Sequence, residues 1–125
     1  MRQAVSPAGA AKPSAPYSPA ILEGGFVYVS GQGPLDSKTG EYVKGDIQSE
    51  TRRVFENIKA ILEAAGSSLD KVVKCNVYLR DIKDFAAMNE VYATFFSAPA
   101  PARTTIQAGA LPRGFAVEID CIASK

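Results

Sequence analysis

The sequence predicts an α+β fold in which two helices lie on one face of a single sheet, in the order ββ-α-β-α-ββ. Two segments show the apolar period of an amphipathic helix, short β-branched and aromatic runs flank them, and Gly- or Pro-rich turns separate these elements. Because β-α-β connections are right-handed, both helices are expected on the same face of the sheet. The opposite face is then uncovered.

The first helix is the most clearly marked element. Asp46 is placed to cap its N-terminus, and Gly66 is placed to end it. Charged residues occupy one side of the segment, and apolar residues at helical spacing occupy the other. The apolar stripe consists of Val54, Ile58, Ile61, Leu62 and Ala65.

The second helix is predicted to begin after Asp84, which can cap it. Pro99 and Pro101 prevent its continuation, and Asn89 lies beside its apolar stripe. That stripe consists of Phe85, Met88, Tyr92 and Phe95.

The strands are predicted from β-branched and alternating runs, whereas the proline-rich residues 6–20 are expected to be extended or looped. The predicted strands are Phe26–Ser30, which runs into a tight turn at 31–34, a short run around Tyr42 and Val43, Val72–Leu79, about 103–108 and about 115–123. In the run at 72–79, the predicted apolar face consists of Val73, Cys75, Val77 and Leu79.

The last strand has two faces of different character. Val117, Ile119, Cys121 and Ala123 form an apolar face, and the opposite face mixes Ala116, Glu118, Asp120 and Ile122. An uncovered sheet face of mixed character indicates a subunit contact. We therefore expect a homo-oligomer with sites at its subunit boundaries.

Composition limits the functional classes. At 125 residues the chain is predicted to form a single domain, residues 1–125, with the apolar (46%) and charged (22%) fractions of a soluble globular protein. A net charge of +1 gives no sign of binding to nucleic acid or to an anionic membrane. No apolar run is long enough to span a bilayer and the N-terminus is a poor signal peptide, so a cytoplasmic location is expected.

The chain contains no histidine. This excludes Ser-His-Asp and Cys-His nucleophile systems, histidine-pair nucleases and most catalytic zinc sites. No cluster has metal-ligand spacing, so no metal is predicted. Cys75 and Cys121 alternate with apolar residues and are interpreted as buried, reduced core thiols.

Arg103 and Glu118 are the main candidates for chemistry. Arg103 begins one strand-like run, Glu118 lies inside the next, and the turn-like residues 109–114 fall between them. If the two runs form a hairpin, the two side chains lie close together, either as a carboxylate-binding, acid/base-capable site or as a structural ion pair. Because Val117 and Ile119 flank Glu118, partial desolvation is expected to raise its pKa unless a cation compensates. The alternative is that Glu118 is a solvent-facing strand residue.

Two further segments are weaker candidates. Tyr17, between Pro16 and Pro19, is either an aromatic wall of a site or a surface loop residue. The segment Ser30-Gly31-Gln32-Gly33 lacks the spacing and the lysine of a phosphate-binding loop, and we interpret it as a turn that approaches a ligand or a subunit.

The run Pro-Ala-Arg-Thr-Thr-Ile at 101–106, with Leu-Pro at 111–112 and Val-Glu-Ile at 117–119, resembles the signature of the RidA/YjgF family of reactive-intermediate (enamine/imine) deaminases, also described as L-PSP endoribonucleases or translation inhibitors. The resemblance implies a chorismate-mutase-like fold with a mixed sheet, assembled as a homotrimer with clefts between subunits. The similarity spans nearly the whole chain and includes Pro16-Tyr17-Ser18, Val29–Gln32, Asn57–Gly66, Val72–Lys74 and Asp84-Phe85.

The resemblance also implies a reaction. Members hydrolyse 2-imino and enamine acids, such as 2-iminobutanoate and 2-iminopropanoate, to 2-keto acids and ammonia without a cofactor. By position, Arg103 would hold the substrate carboxylate, and Glu118 would position or activate water. The implied lining residues are Tyr17, Ser30, Gly31 and Thr105, with Phe85 and Asn89 from an adjoining subunit.

This chain departs from the family pattern at two positions. Thr105 stands where many members have cysteine, at a position that acts largely through its backbone, so activity is expected to persist without thiol-based regulation. Gly33 stands where an apolar residue is common and is expected to loosen the mouth of the cleft. Two other functions stay open: a non-catalytic small-carboxylate-binding regulatory or chaperone-like trimer, and an endoribonuclease or translation inhibitor, against which the near-neutral charge and the missing histidine argue.

Overall fold

The computed structural model describes residues 1–125 and contains one six-stranded sheet with two helices. Across the sheet the strand order is β1-β2-β3-β6-β4-β5; β4 and β5 run parallel and all other neighbours run antiparallel. The predicted α+β class with a mixed sheet is confirmed. The elements are β1 (Gln3–Val5), β2 (Ala20–Glu23), β3 (Phe26–Gln32), α1 (Ile47–Ala64), β4 (Val72–Leu79), α2 (Phe85–Phe95), β5 (Ala102–Gln107) and β6 (Val117–Ser124).

The N-terminal part of the sheet differs from the prediction. β1 and β2 were not predicted as strands, and the run around Tyr42 forms only an isolated bridge to Leu35. Gly24 and Gly25 both have positive φ and make the tight hairpin turn that pairs β2 with β3. The β2 strand is too short to show a clear period, so tertiary pairing rather than local pattern determines it.

Helix α1 has the predicted boundaries and stripe. The Asp46 carboxylate accepts a hydrogen bond from the Ser49 N–H at 2.8 Å. At the other end Gly66 has φ +80°, and the Ser67 N–H bonds back to the Leu62 carbonyl at 2.8 Å, which completes a Schellman motif. All five stripe residues, Val54, Ile58, Ile61, Leu62 and Ala65, are buried.

The predicted cap of helix α2, Asp84, is wrong. Asp84 makes no capping bond; instead the Asp81 side chain accepts from the Lys83 N–H at 2.9 Å and begins a 3₁₀ turn, Ile82–Asp84, that leads into the helix. Within the predicted stripe Met88 and Tyr92 are buried, but Phe85 is 40% exposed at the first turn. Tyr92, Phe95 and Phe96 surround the buried Phe55 ring at centroid distances of 4.7 to 5.5 Å.

The predicted buried face of β4 is wrong at Val73. Its pairing with β6 shifts register between Val72 and Lys74, so Val72 is buried and Val73 is 47% exposed. Beyond that bulge the predicted alternation holds, and Cys75, Val77 and Leu79 lie in the core. Alternation alone does not reveal a bulge, because the extra residue changes the face from that point onward.

One face of the sheet is covered by the helices and the other is open. The buried face of β6 consists of the predicted residues Val117, Ile119, Cys121 and Ala123. On the open face Tyr28 of β3 and Ile106 of β5 are 44% and 47% exposed, respectively. Apolar side chains exposed on a sheet face are a feature of interaction surfaces.

Candidate functional site

The hairpin that would join Arg103 to Glu118 does not form. The β4-α2-β5 connection makes β5 parallel to β4, and β4 separates β5 from β6. Arg103 lies opposite Cys75, which faces the helices, whereas Glu118 lies opposite Tyr78 on the open face. The guanidinium and the carboxylate therefore project to opposite faces of the sheet, and no ion pair joins them within one chain.

The Arg103 side chain is held by helix α2. Its Nη1 donates to Asn89 Oδ1 at 2.7 Å, and its guanidinium carbon lies 4.6 Å from the centre of the Tyr92 ring and 5.5 Å from that of Phe85. Phe85 and Asn89 were expected from an adjoining subunit, but both contact Arg103 of their own chain. β5 lies beside this helix because α2 is the connection between β4 and β5.

No carboxylate neutralises Arg103. The two ion pairs of the chain join the Met1 ammonium to Glu23 at 2.9 Å and Arg53 to Glu56 at 3.8 Å, both near the surface. Asn89, which is neutral, is the sole side chain that hydrogen-bonds the guanidinium. The remaining N–H groups of Arg103 are thus available for a two-oxygen anion.

Glu118 is a half-buried carboxylate on the opposite face, and no side chain or backbone N–H donates to it. Burial raises the pKa of this carboxyl above its ordinary value, and the nearby negative charge of Asp120 raises the pKa further. The predicted direction of the shift is confirmed. A carboxylate whose pKa is raised is a stronger base towards water than an ordinary carboxylate.

Asp120, two residues further along the same face, accepts two side-chain hydrogen bonds. Its Oδ1 accepts from the Asn76 amide at 2.8 Å, and its Oδ2 accepts from the Tyr78 hydroxyl at 3.0 Å. Desolvation raises the pKa of the Tyr78 phenol first, and the bond to Asp120 raises it further, so Tyr78 stays a donor. This network was not predicted from the sequence, although the period of two places Asp120 on the same face as Glu118.

Ser30 and Gly31 lie in the irregular part of β3, where its register with β6 shifts between Val29 and Gln32. A Cβ atom at Gly31 would overlap the Glu118 carboxylate, so glycine is what permits this close approach. The Ser30 hydroxyl donates to the Ser18 carbonyl at 2.6 Å, and the Ser30 N–H donates to the Pro19 carbonyl at 2.9 Å. These bonds fasten the segment that carries the exposed Tyr17 to the same edge of the site.

The two positions that depart from the family pattern have structural explanations. The Thr105 hydroxyl is shielded from solvent without a hydrogen-bond partner and faces the helix side, opposite Val77. A hydroxyl that is shielded in this way is out of a ligand's reach. Gly33 does not loosen the site as expected, because it is buried and the Phe115 ring occupies the space of its missing side chain.

Glu50 is a buried acid that was not predicted from the sequence. It is 1% exposed, its Oε1 accepts from the Ala116 N–H at 2.9 Å, and its Oε2 accepts from the Tyr42 hydroxyl at 2.7 Å and the Gly45 N–H at 3.2 Å. The available signal was its position four residues before Val54, on the apolar stripe of α1. The Glu50 carboxylate joins α1 to the start of β6, two residues before Glu118.

The two cysteines lie in the core of the protein. Cys75 and Cys121 are free thiols opposite one another on β4 and β6; both are buried, as predicted, and burial raises the pKa of each. No group of three or more Cys, Asp and Glu side chains is arranged to hold a metal ion. Neither helix is both long enough and apolar enough to cross a membrane.

Comparison with known proteins gives consistent matches along the chain. The family model described as Endoribonuclease L-PSP matches residues 8–125. A RutC family protein of Pyrococcus horikoshii is 53% identical over 125 residues, which cover 100% of this chain and 99% of that protein. A 2-iminobutanoate/2-iminopropanoate deaminase of Dermatophagoides farinae is 42% identical over 113 residues, which cover 90% of this chain and 88% of the deaminase. The solved structure of E. coli TdcF with bound serine matches with a TM-score of 0.90 and 36% identity, over 98% of both chains.

Proposed function

The chain belongs to the L-PSP endoribonuclease family, the RidA/YjgF family, and on that basis we propose that it hydrolyses reactive 2-imino and enamine acids to 2-keto acids and ammonia. The observation that carries the proposal is the pairing of an arginine without an anionic partner and a half-buried carboxylate without a donor. Such a pair suits a small substrate that carries a carboxylate and needs a water molecule activated. The relative named as an imine deaminase supports the same reaction.

The two groups act on one substrate only if two subunits meet. Arg103 and Glu118 project from opposite faces of the sheet, so one chain does not bring both to a small molecule. We propose a homotrimer in which the open sheet face is buried and each cleft combines two sets of residues. One subunit supplies Tyr17, Ser30, Gly31 and Glu118, and its neighbour supplies Phe85, Asn89, Arg103 and the backbone of Thr105.

The proposed chemistry needs no cofactor. The Arg103 fork binds the substrate carboxylate and fixes the orientation of the adjacent C=N carbon, which removes part of the barrier. Glu118 accepts a proton from water as the water oxygen bonds to that carbon, and then returns the proton to the nitrogen. The carbinolamine formed in this way gives its hydroxyl proton to Glu118 as the C=O bond forms and the C–N bond breaks. Glu118 passes that proton to the departing nitrogen, so the imine and one water yield a keto acid and ammonia. One positioned acid/base group contributes roughly 10²- to 10⁴-fold.

A coupled assay tests this function. A threonine dehydratase supplies 2-iminobutanoate, and the wild-type protein is expected to accelerate the formation of 2-ketobutyrate and ammonia. Arg103→Ala should abolish the acceleration, whereas Arg52→Ala, which removes an exposed arginine of α1, should leave it unchanged. If Arg103→Ala is as active as wild type, Arg103 is not the anchor.

A binding-only function has a specific observation in its favour, because the match to TdcF is to a structure with bound serine. Calorimetry with 2-ketobutyrate, run beside the coupled assay, separates the two functions. Binding without any acceleration of hydrolysis would identify a regulatory carboxylate-binding protein.

The ribonuclease activity in the family description is tested by incubating purified wild type and Arg103→Ala with RNA. Cleavage that persists in the variant does not come from this site.

A further inference from the structure

The Arg103 guanidinium is held on three sides by one helix. Asn89 accepts its Nη1 hydrogen bond at 2.7 Å, the Tyr92 ring lies beneath it at 4.6 Å, and the Phe85 ring lies at 5.5 Å. These α2 residues are spaced by four and three positions, so they share one face of the helix. The arrangement leaves the Nε and Nη2 N–H groups without protein partners.

Tyr92 is the rigid member of this set. It is 6% exposed, and its ring is packed against Phe55 at 5.3 Å and Phe96 at 5.0 Å, so it cannot move without disturbing the core. Its hydroxyl is buried next to the Cys75 thiol, without a hydrogen bond of ordinary length. The side of Tyr92 that the site uses is therefore the ring face, where a guanidinium is attracted by the π-electrons.

We propose that Tyr92 is a positioning residue that, with Asn89, holds Arg103 in the orientation that binds the substrate carboxylate. An arginine side chain has several rotatable bonds, and fixing it in advance lowers the entropy cost of binding an anion. Because neither Tyr92 nor Asn89 is charged, they orient the cation without neutralising it. The identity of the anion depends on the proposed function, but the positioning of the guanidinium does not.

Matched variants separate this role from a contribution to the core. Tyr92→Leu removes the ring face and is expected to raise the KM for 2-iminobutanoate and the Kd for 2-ketobutyrate by roughly 3- to 30-fold, with kcat within about twofold of wild type. Tyr92→Phe keeps the ring and should behave like wild type. Phe96→Leu removes an aromatic neighbour of Tyr92 that does not contact Arg103, so it should lower Tm without changing KM or Kd. Equal KM and Kd values for Tyr92→Leu and Phe96→Leu would overturn the proposal.

Asn89→Asp tests the second part of the arrangement, since it places a carboxylate where Arg103 now meets a neutral amide. The Kd for 2-ketobutyrate is expected to rise more than tenfold as the new carboxylate competes with the ligand. An unchanged Kd would contradict the requirement for a neutral partner.

An NMR measurement keeps the test independent of activity and of ligand binding. In wild type and Tyr92→Phe, the ring current should displace the Arg103 Nε–H chemical shift from the value of an exposed arginine. In Tyr92→Leu the chemical shift should move back towards that value. A resonance that is the same in all three proteins overturns the positioning role. If instead the resonance responds but imine hydrolysis is absent from wild type, the deaminase function fails and the positioning role stands.

Discussion

At the scale of single residues, Glu118 is expected to destabilise the folded protein when its carboxyl group is ionised, in addition to its proposed acid/base role. Burial, and then the charge of Asp120, raise the pKa of its carboxyl in the folded state. The folded state therefore favours the protonated form, and this contribution to stability is present at low pH and is lost as the pH rises through the folded pKa. Above that pKa the ionised group opposes folding, as is common at functional sites.

Glu118→Gln removes the titration, and we expect it to raise Tm at pH 8 and to change Tm little at pH 4. The same variant should lose most of the deaminase activity, because an amide cannot accept the proton from water. Thermal unfolding at the two pH values and the coupled assay measure both effects. Glu63→Gln, on the exposed side of α1, is the control. A destabilised Glu118→Gln protein at pH 8 would show that the ionised carboxylate is stabilised by contacts within the chain.

Substitutions at Gly31 and Gly33 are expected to have different effects, the first on activity and the second on stability. An added methyl group at Gly31 meets the carboxylate of a mobile side chain, so Gly31→Ala is expected to lower kcat/KM more than tenfold with a small change in Tm. An added methyl group at Gly33 meets the buried Phe115 ring, so Gly33→Ala should cost about 1–3 kcal/mol of stability. Urea unfolding and steady-state kinetics on both variants check the contrast. Equal losses of stability would refute it.

At the scale of secondary structure, the first turn of α1 is bonded to two other parts of the chain through Glu50. Its carboxylate accepts three hydrogen bonds, from Tyr42, Gly45 and Ala116, and the raised pKa of Tyr42, about 12, follows from desolvation and then from the bond to Glu50. Tyr42 also packs edge-on against Phe115 at 5.0 Å. Helix α1 thereby fixes where β6 begins, and so where Glu118 stands.

Glu50→Ala leaves three donors without their acceptor, and we expect it to lower the free energy of unfolding by about 3 kcal/mol or more. Glu56→Ala, which removes a largely exposed ion-pair partner on the same helix, should change it by less than about 0.5 kcal/mol. Urea titration followed by circular dichroism measures both. If the two variants unfold alike, the network around Glu50 contributes little.

At the scale of the whole molecule, the position of β4 between β5 and β6 limits how the proposed site could assemble. It places Arg103 and Glu118 on opposite faces, and Tyr28 and Ile106 remain exposed on the open face. A closed ring in which each subunit contributes one group to each of two neighbouring clefts satisfies both facts.

Mixing two inactive variants tests this assembly. Arg103→Ala and Glu118→Gln subunits, unfolded together in equal amounts and refolded, should regain about a quarter of wild-type activity, because a quarter of random subunit contacts join an intact Arg103 to an intact Glu118. Analytical ultracentrifugation should give three times the chain mass of 13.2 kDa for each variant and for the mixture. A mixture of trimers without activity would place each site within one subunit.

Much of the fold could be predicted from local pattern, and the exceptions share a cause. The stripe of α1, the Asp46 cap, the Gly66 terminus and the buried face of β6 depend on residues that are neighbours along the helix or strand. β1, β2 and the bulge after Val72 depend on which strand lies alongside, and no local period reports that.

The candidate site likewise has some features that could be predicted from the sequence and others that could not. The residue types were visible in the sequence: the absence of histidine, a carboxyl flanked by Val117 and Ile119, and the Arg103 motif by its resemblance to a known family. Which groups are available for chemistry depends on composition, so it could be predicted from the sequence alone. The flanking residues indicated a raised pKa for Glu118, but its burial depends on the packed sheet. The contacts of Arg103 with Asn89 and Tyr92, and the opposite direction of Glu118, likewise depend on the tertiary structure. Strand order and face depend on pairing between segments far apart in the chain, and the free energy of that pairing belongs to the packed molecule rather than to either segment.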